Sequence, residues 1–147
     1  MNNMTQLTPH FTLEELATTN LAAYKSKNLK EAKRKMGKMY MLAGFAERIR
    51  EIIGYPLIVT SGYRYTELNK AVGGALVSQH TLCEAIDIVC KENKVETMFQ
   101  KIKNSDLKYG QMIIETNKAG SEWLHISIGS TKQRLKYEPG KGYTLLK

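Results

Sequence analysis

No stretch of the 147-residue chain approaches the roughly 20 consecutive apolar residues that a bilayer-spanning helix needs, so no membrane span is expected. The opening residues, Met1 to His10, lack a basic region followed by an apolar core and are not read as a secretory signal peptide. Cysteine is scarce, with only Cys83 and Cys90, and the two do not form a Cys-x-x-Cys metal pair. Seven apart around a predicted strand, they fall on opposite faces, which argues against a mutual disulfide. Two buried free thiols are expected instead, as suits a reducing compartment. The chain also lacks internal repeats, linkers and low-complexity segments. Histidine is limited to three positions, so each one carries information.

What remains is ordinary globular material. With 42% hydrophobic and 24% charged residues, the chain reads as one domain, residues 1–147, large enough to bury a real core. The net charge of +8, from 22 Lys and Arg against 14 Asp and Glu, favours polyanions, whether nucleic acid or anionic wall polymers. The basic residues are scattered, and the denser run from Lys25 to Lys38 reads as a solvated helix face. No nucleic-acid-binding motif is present, so no nucleic acid partner is expected.

Along the chain, Thr12-Leu13-Glu14-Glu15 has the form of a capping box opening a short helix to about Thr18. Asn28 is expected to cap a long helix whose apolar positions Leu29, Ala32, Met36, Met39, Ala43 and Ala46 recur at helical spacing, and Gly54 stops it. The methionines in that stripe read as core filler. A strand over Leu57–Thr60 leads through Ser61-Gly62 into a short helix from about Tyr65 to Val72, which Gly73-Gly74 ends. Further elements are a strand over Glu84–Val89, a helix over Val95–Ile102, a strand over Gln111–Glu115, a turn, a hairpin partner over Trp123–Ile128 and a last strand near Arg134–Tyr137. The order predicts an α+β fold with helices packed on one side of a small, mainly antiparallel sheet.

Within this pattern some polar residues are out of place. Asp87 interrupts the apolar run Ala85-Ile86-Ile88-Val89, where a carboxylate is costly to bury without a positive partner. His80 lies seven residues earlier, and His125 sits in a second apolar run. Two imidazoles and one carboxylate are a common set for a catalytic zinc that keeps a fourth position for water. Glu122, three residues before His125, would then be the free carboxylate that takes the water's proton. Three is an odd spacing, so in a regular strand the two would face opposite ways; Glu122 is therefore expected just before the strand. Glu115, at the end of Met112-Ile113-Ile114, competes for the same role and ranks behind Glu122.

Ser78-x-His80-x-x-x-x-Ala85-x-Asp87 followed by Glu122-x-x-His125 resembles the M15 family of zinc D-Ala-D-Ala peptidases. That family includes D,D-carboxypeptidases, D,D-dipeptidases and the peptidase endolysins of bacteriophages. Ile58-Val59-Thr60-Ser61-Gly62-Tyr63-Arg64 and Leu68-Asn69-Lys70-Ala71-Val72-Gly73-Gly74 match the family's stretch ahead of the first ligand. Phe11-Thr12-Leu13-Glu14-Glu15-Leu16 resembles the start of the short phage-type members. Together these segments cover most of the chain between Phe11 and Ser127.

The resemblance implies a hedgehog/D,D-peptidase-like fold, Zn²⁺ on His80, Asp87 and His125, and Glu122 as general base. Arg64 would stabilise charge on the scissile carbonyl or a substrate carboxylate; otherwise it is an exposed arginine at a helix start. Ser78 would contact substrate or orient the first ligand, unless it is a plain loop serine. Trp123 flanks a ligand or simply packs. The family usually has Gly where this chain has Cys83, which points to a special backbone angle at that position and puts a thiol near the metal. The implied function is hydrolysis of peptidoglycan stem peptides by a monomeric, endolysin-like zinc metallopeptidase. It would be made without a signal peptide and reach the wall after phage-type release or on a virion. The alternative is a non-catalytic zinc module on the same fold that binds wall or a partner protein.

Overall fold

The computed structural model describes residues 4–147. In chain order the elements are β1 (Gln6–Thr8), β2 (Phe11–Thr12), α1 (Leu13–Leu16), α2 (Ala22–Lys33), α3 (Met36–Ile53), β3 (Ile58–Ser61), α4 (Thr66–Ala71), β4 (Ala85–Val89), α5 (Val95–Lys103), β5 (Gln111–Thr116), β6 (Glu122–Ser127), β7 (Gln133–Glu138) and β8 (Gly142–Leu145). β1 and β2 pair with each other, and the other strands form a six-stranded sheet in the order β3-β4-β6-β5-β7-β8. β5 runs antiparallel to β6 and parallel to β7, and β7 runs antiparallel to β8. The fold is α+β, as expected. No helix among the described residues is long and apolar enough to cross a membrane.

The chain falls into two compact sets, residues up to Glu47 with Val59–Ile86, and Arg48–Ile58 with Asp87–Lys147. In the first set, α1 begins with the expected capping box. The Thr12 hydroxyl accepts from the Glu15 amide at 3.1 Å, and the Glu15 carboxylate accepts from the Thr12 amide at 3.2 Å. Leu13 and Leu16 are buried behind it. The lysines and arginine of 25–38 all stand in solvent, as a solvated helix face should.

The expected single long helix is two helices, and Asn28 is not its cap. α2 starts six residues before Asn28 and ends at Lys33, and a tight step over Arg34 and Lys35 leads into α3. Apolar periodicity does not register this step, because Ala32, Met36 and Met39 keep spacings of four and three across it. Asn28 is fully buried within α2. Its amide donates to the carbonyls of Ala17 and Tyr63, and its oxygen accepts from the Tyr65 amide, all at 2.9 Å. A lone asparagine on a helix is thus the tie between α2, the end of α1 and the segment after β3.

In the second set, α5 buries Val95, Met98, Phe99 and Ile102, the face that their spacing predicts, and lies against β5 and β6. Gly54 ends α3 at φ +84°, a conformation a glycine adopts without a Cβ clash. Strands β1, β2 and β8 went unpredicted: the first two are only three and two residues long, and β8 is largely exposed.

Candidate metal centre

His80 is held through its backbone and one ring nitrogen. The chain after β3 passes close under α1, where the Leu16 carbonyl accepts from the Tyr63 amide at 2.7 Å. Only a glycine fits at position 62, since a Cβ there would overlap the Leu16 carbonyl. The Gly62 carbonyl in turn lies 2.7 Å from His80 Nδ1. A carbonyl only accepts, so Nδ1 carries the proton and Nε2 keeps the lone pair that binds a metal. The His80 carbonyl accepts from the Arg64 and Cys83 amides at 3.2 and 3.3 Å, and the residue is 3% exposed.

Ser78 is buried, and it is more than a plain loop serine. Its hydroxyl oxygen accepts from the His80 amide at 3.2 Å and lies 3.5 Å from Arg64 Nη2. Arg64 is therefore half-buried beside the first ligand's loop and is not an exposed helix-start arginine.

Asp87 is the middle residue of β4, between Ile86 and Ile88, which are fully buried. His125 is buried in β6, and its Nδ1 lies 2.9 Å from Asp87 Oδ1. Tetrahedral zinc with ligands near 2.1 Å spaces its donor atoms about 3.4 Å apart, so this pair is close to co-ligation distance. His80, Asp87 and His125 each offer a ligand atom, and these atoms all lie within 4.8 Å of one another. The three residues that the spacing singled out thus converge into a set able to hold a metal ion.

Cys83 adopts φ +60°, the left-handed conformation that a glycine takes without cost. The backbone reason for the family's glycine is therefore present here in a chain that has cysteine. The thiol is not one of the converging groups. It is buried with its sulfur 3.1 Å from Met39 Sδ, and burial pushes its pKa up to about 11 against the opposing pull of Lys38 and Lys35. Both cysteines are free, but Cys90 is half-buried rather than buried.

Glu122 does not precede the strand as expected. It is the first residue of β6, its Cα registered with Thr116, and its side chain is exposed. The hairpin closes early because Asn117 caps the turn, its side chain accepting from the Ser121 amide at 3.0 Å. The Asn117 amide also donates to the Ser121 carbonyl, which carries pairing up to Glu122. Sequence reading also missed the Gly62 carbonyl, which leaves no trace in residue type.

A family profile described as Peptidase M15 matches residues 9–127, from before β2 to the end of β6. The chain belongs to the peptidase M15 family. None of the curated proteins matches it. This M15 peptidase carries a His-Asp-His set able to hold a metal ion, and its family implies a peptide substrate. The β7–β8 hairpin lies beyond the matched segment.

Proposed function

We propose that this metallopeptidase hydrolyses peptide bonds of peptidoglycan stem peptides, as a D,D-carboxypeptidase or endopeptidase of the endolysin type, with residues 1–147 acting as one monomeric domain. The observation that carries the reading is the convergence of the His80, Asp87 and His125 ligand atoms within 4.8 Å. The donor set fits Zn²⁺: two imidazoles and one carboxylate, with the His80 tautomer already selected by the Gly62 carbonyl. Bound there, zinc would lower the pKa of a water to roughly 7 and polarise the scissile carbonyl. Around it, Arg64 offers a planar fork of donors to the developing oxyanion or to a substrate carboxylate. Ser78 holds the His80 loop and the arginine to each other.

A glutamate takes the water's proton and returns it to the leaving amine. Glu122 fills that role by its spacing to His125, and Glu115 ranks behind it. The net charge of +8 favours approach to an anionic wall, which the protein would reach after phage-type release or on a virion.

The test is digestion of purified peptidoglycan by the zinc-loaded protein, with the muropeptides read by mass spectrometry. A new amine end or released D-Ala supports the reading and names the bond. Intact muropeptides with zinc fully bound would instead leave a non-catalytic zinc module.

A further inference from the structure

We propose that the first compact set carries a second binding site, apart from the metal centre, for a small zwitterion of the amino-acid or short-peptide kind. A cavity of about 310 Å³ lies between α2 and the segment that leads from β3 into α4. Lys27 and Glu31 of α2 line it together with Lys35, which follows that helix, and Tyr63, Tyr65 and Glu67 line it from the other segment. All six belong to the first set, and none of the groups that converge at the metal centre is among them. The volume sits at the lower end of the roughly 300–1,000 Å³ of small-molecule sites, so the ligand is small.

Tyr63 marks the cavity as a site. It is 2% exposed, yet its hydroxyl has no hydrogen-bond partner among the described residues. Burying a hydroxyl without a partner is costly, and a ligand oxygen in the cavity supplies the acceptor that the chain does not. Burial, followed by the charges of Glu31, the Cys83 thiol and Glu67, pushes the pKa of this hydroxyl up to about 12. At neutral pH it therefore keeps its proton and can donate it.

The charged groups fix the chemistry of the ligand. Two lysines face two glutamates around the cavity. A simple anion such as phosphate is drawn by Lys27 and Lys35 but opposed by Glu31 and Glu67, and a simple cation meets the reverse. A molecule with one carboxylate and one ammonium satisfies both signs. Lys27 and Glu31 already pair at 3.4 Å, so Lys35 and Glu67 are the groups best placed to serve it. The carboxylate would accept from the Tyr63 hydroxyl and Lys35, and the ammonium would donate to Glu67.

The tyrosine wall is set before any ligand arrives. Asn28, next to Lys27, donates to the Tyr63 carbonyl and accepts from the Tyr65 amide, both at 2.9 Å. Such preorganisation spares a ligand the cost of ordering its site. The same segment also serves His80, through the Gly62 carbonyl and the Arg64 amide. A ligand in the cavity thus rests on the strip of backbone that fixes His80 without sharing a side chain with the metal centre.

The test titrates glycylglycine into the full zinc-loaded chain by calorimetry and maps the contact by NMR. Acetate, methylammonium and inorganic phosphate are the probes that carry charge of one sign only. Glycylglycine should bind with a dissociation constant on the order of 1 mM, as suits a ligand of few atoms, and shift the Tyr63, Tyr65 and Glu67 signals. Each probe of one sign should bind about tenfold more weakly or worse, having lost one charge-assisted hydrogen bond. Tyr63→Phe keeps the ring and should weaken glycylglycine by about tenfold. Lys35→Ala, at an exposed position, should weaken it by about fivefold without disturbing the fold. The proposal is overturned if glycylglycine does not saturate, if phosphate or acetate binds as tightly, if both variants keep wild-type affinity, or if only the His125 signals move. It does not rest on the peptidase reading: a chain that leaves muropeptides intact would still bind the dipeptide at Tyr63, and a failure here would leave muropeptide cleavage untouched.

Discussion

His80 Nδ1 donates to the Gly62 carbonyl across 2.7 Å, so a backbone atom eighteen residues away decides which nitrogen of the ring keeps the lone pair that could bind a metal ion. Gly62 can play this part because its missing side chain lets the backbone pass under the Leu16 carbonyl. Gly62→Ala forces that crossing apart. The expected result is a loss of about 1–3 kcal/mol, as for other overpacked sites, together with weaker zinc binding. Chemical denaturation and a zinc titration of the same variant check the two effects.

The three converging ligands predict a metal-dependent stability. Zinc at about 1,000 times its dissociation constant should stabilise the wild type by about 4 kcal/mol, raising its melting temperature. Asp87→Ala should lose that rise and weaken zinc by more than about 100-fold, beyond what outer-shell changes cause. A melting curve that responds equally to zinc in wild type and variant contradicts the site.

Cys83 sits at φ +60°, where any Cβ is strained. Cys83→Ala removes the sulfur contact with Met39 and keeps the strain, whereas Cys83→Gly removes both. The glycine variant should therefore be more stable than the alanine variant by about 1 kcal/mol, the left-handed penalty of an L-residue. Urea midpoints of the pair measure the difference directly.

The same thiol predicts a pH effect. Burial raises its pKa to about 11, above the value near 8.5 of an exposed thiol. The folded state therefore holds its proton where the unfolded state releases it. Its contribution to stability is complete below the unfolded value and declines as pH rises toward 11. Stability should fall over that window in the wild type and less so in Cys83→Ala. Iodoacetamide at pH 8 should label Cys90 first, as peptide mapping would reveal.

Asn28 makes three hydrogen bonds from a fully buried position. Asn28→Ala leaves two carbonyls and one amide without partners and should cost about 3 kcal/mol. Asn28→Asp keeps the acceptor for the Tyr65 amide but sets a carboxylate against two carbonyl oxygens, and it should fare no better. Thermal unfolding of both variants checks this.

The set able to hold a metal ion was legible in the sequence because burying a carboxylate and an imidazole in apolar runs is costly, and that cost marks Asp87 and His125 by residue type alone. The capping box at Thr12 and the apolar face of α5 were legible for the same reason, since each is a local pattern with a fixed period. The positive φ at Cys83 was legible only by contrast with the family's glycine. Other features depend on long-range pairing. The odd spacing of Glu122 and His125 already placed them on opposite faces, and only the register with Thr116 shows that the strand begins early enough for the rule to hold. The two-residue break after α2 preserves apolar spacing, so periodicity passes over it. Asn28 looked like a cap because asparagine favours helix starts, and nothing local reveals that its partners lie at Ala17, Tyr63 and Tyr65.

The hydrogen bond from the Tyr63 amide to the Leu16 carbonyl links the smallest helix to the segment that holds His80. A protein shortened at its beginning to remove α1 would keep every ligating side chain yet lose the rail against which the His80 arm is set. In a titration such a deletion would look like damage to the ion's own coordination, although α1 supplies none of the converging groups.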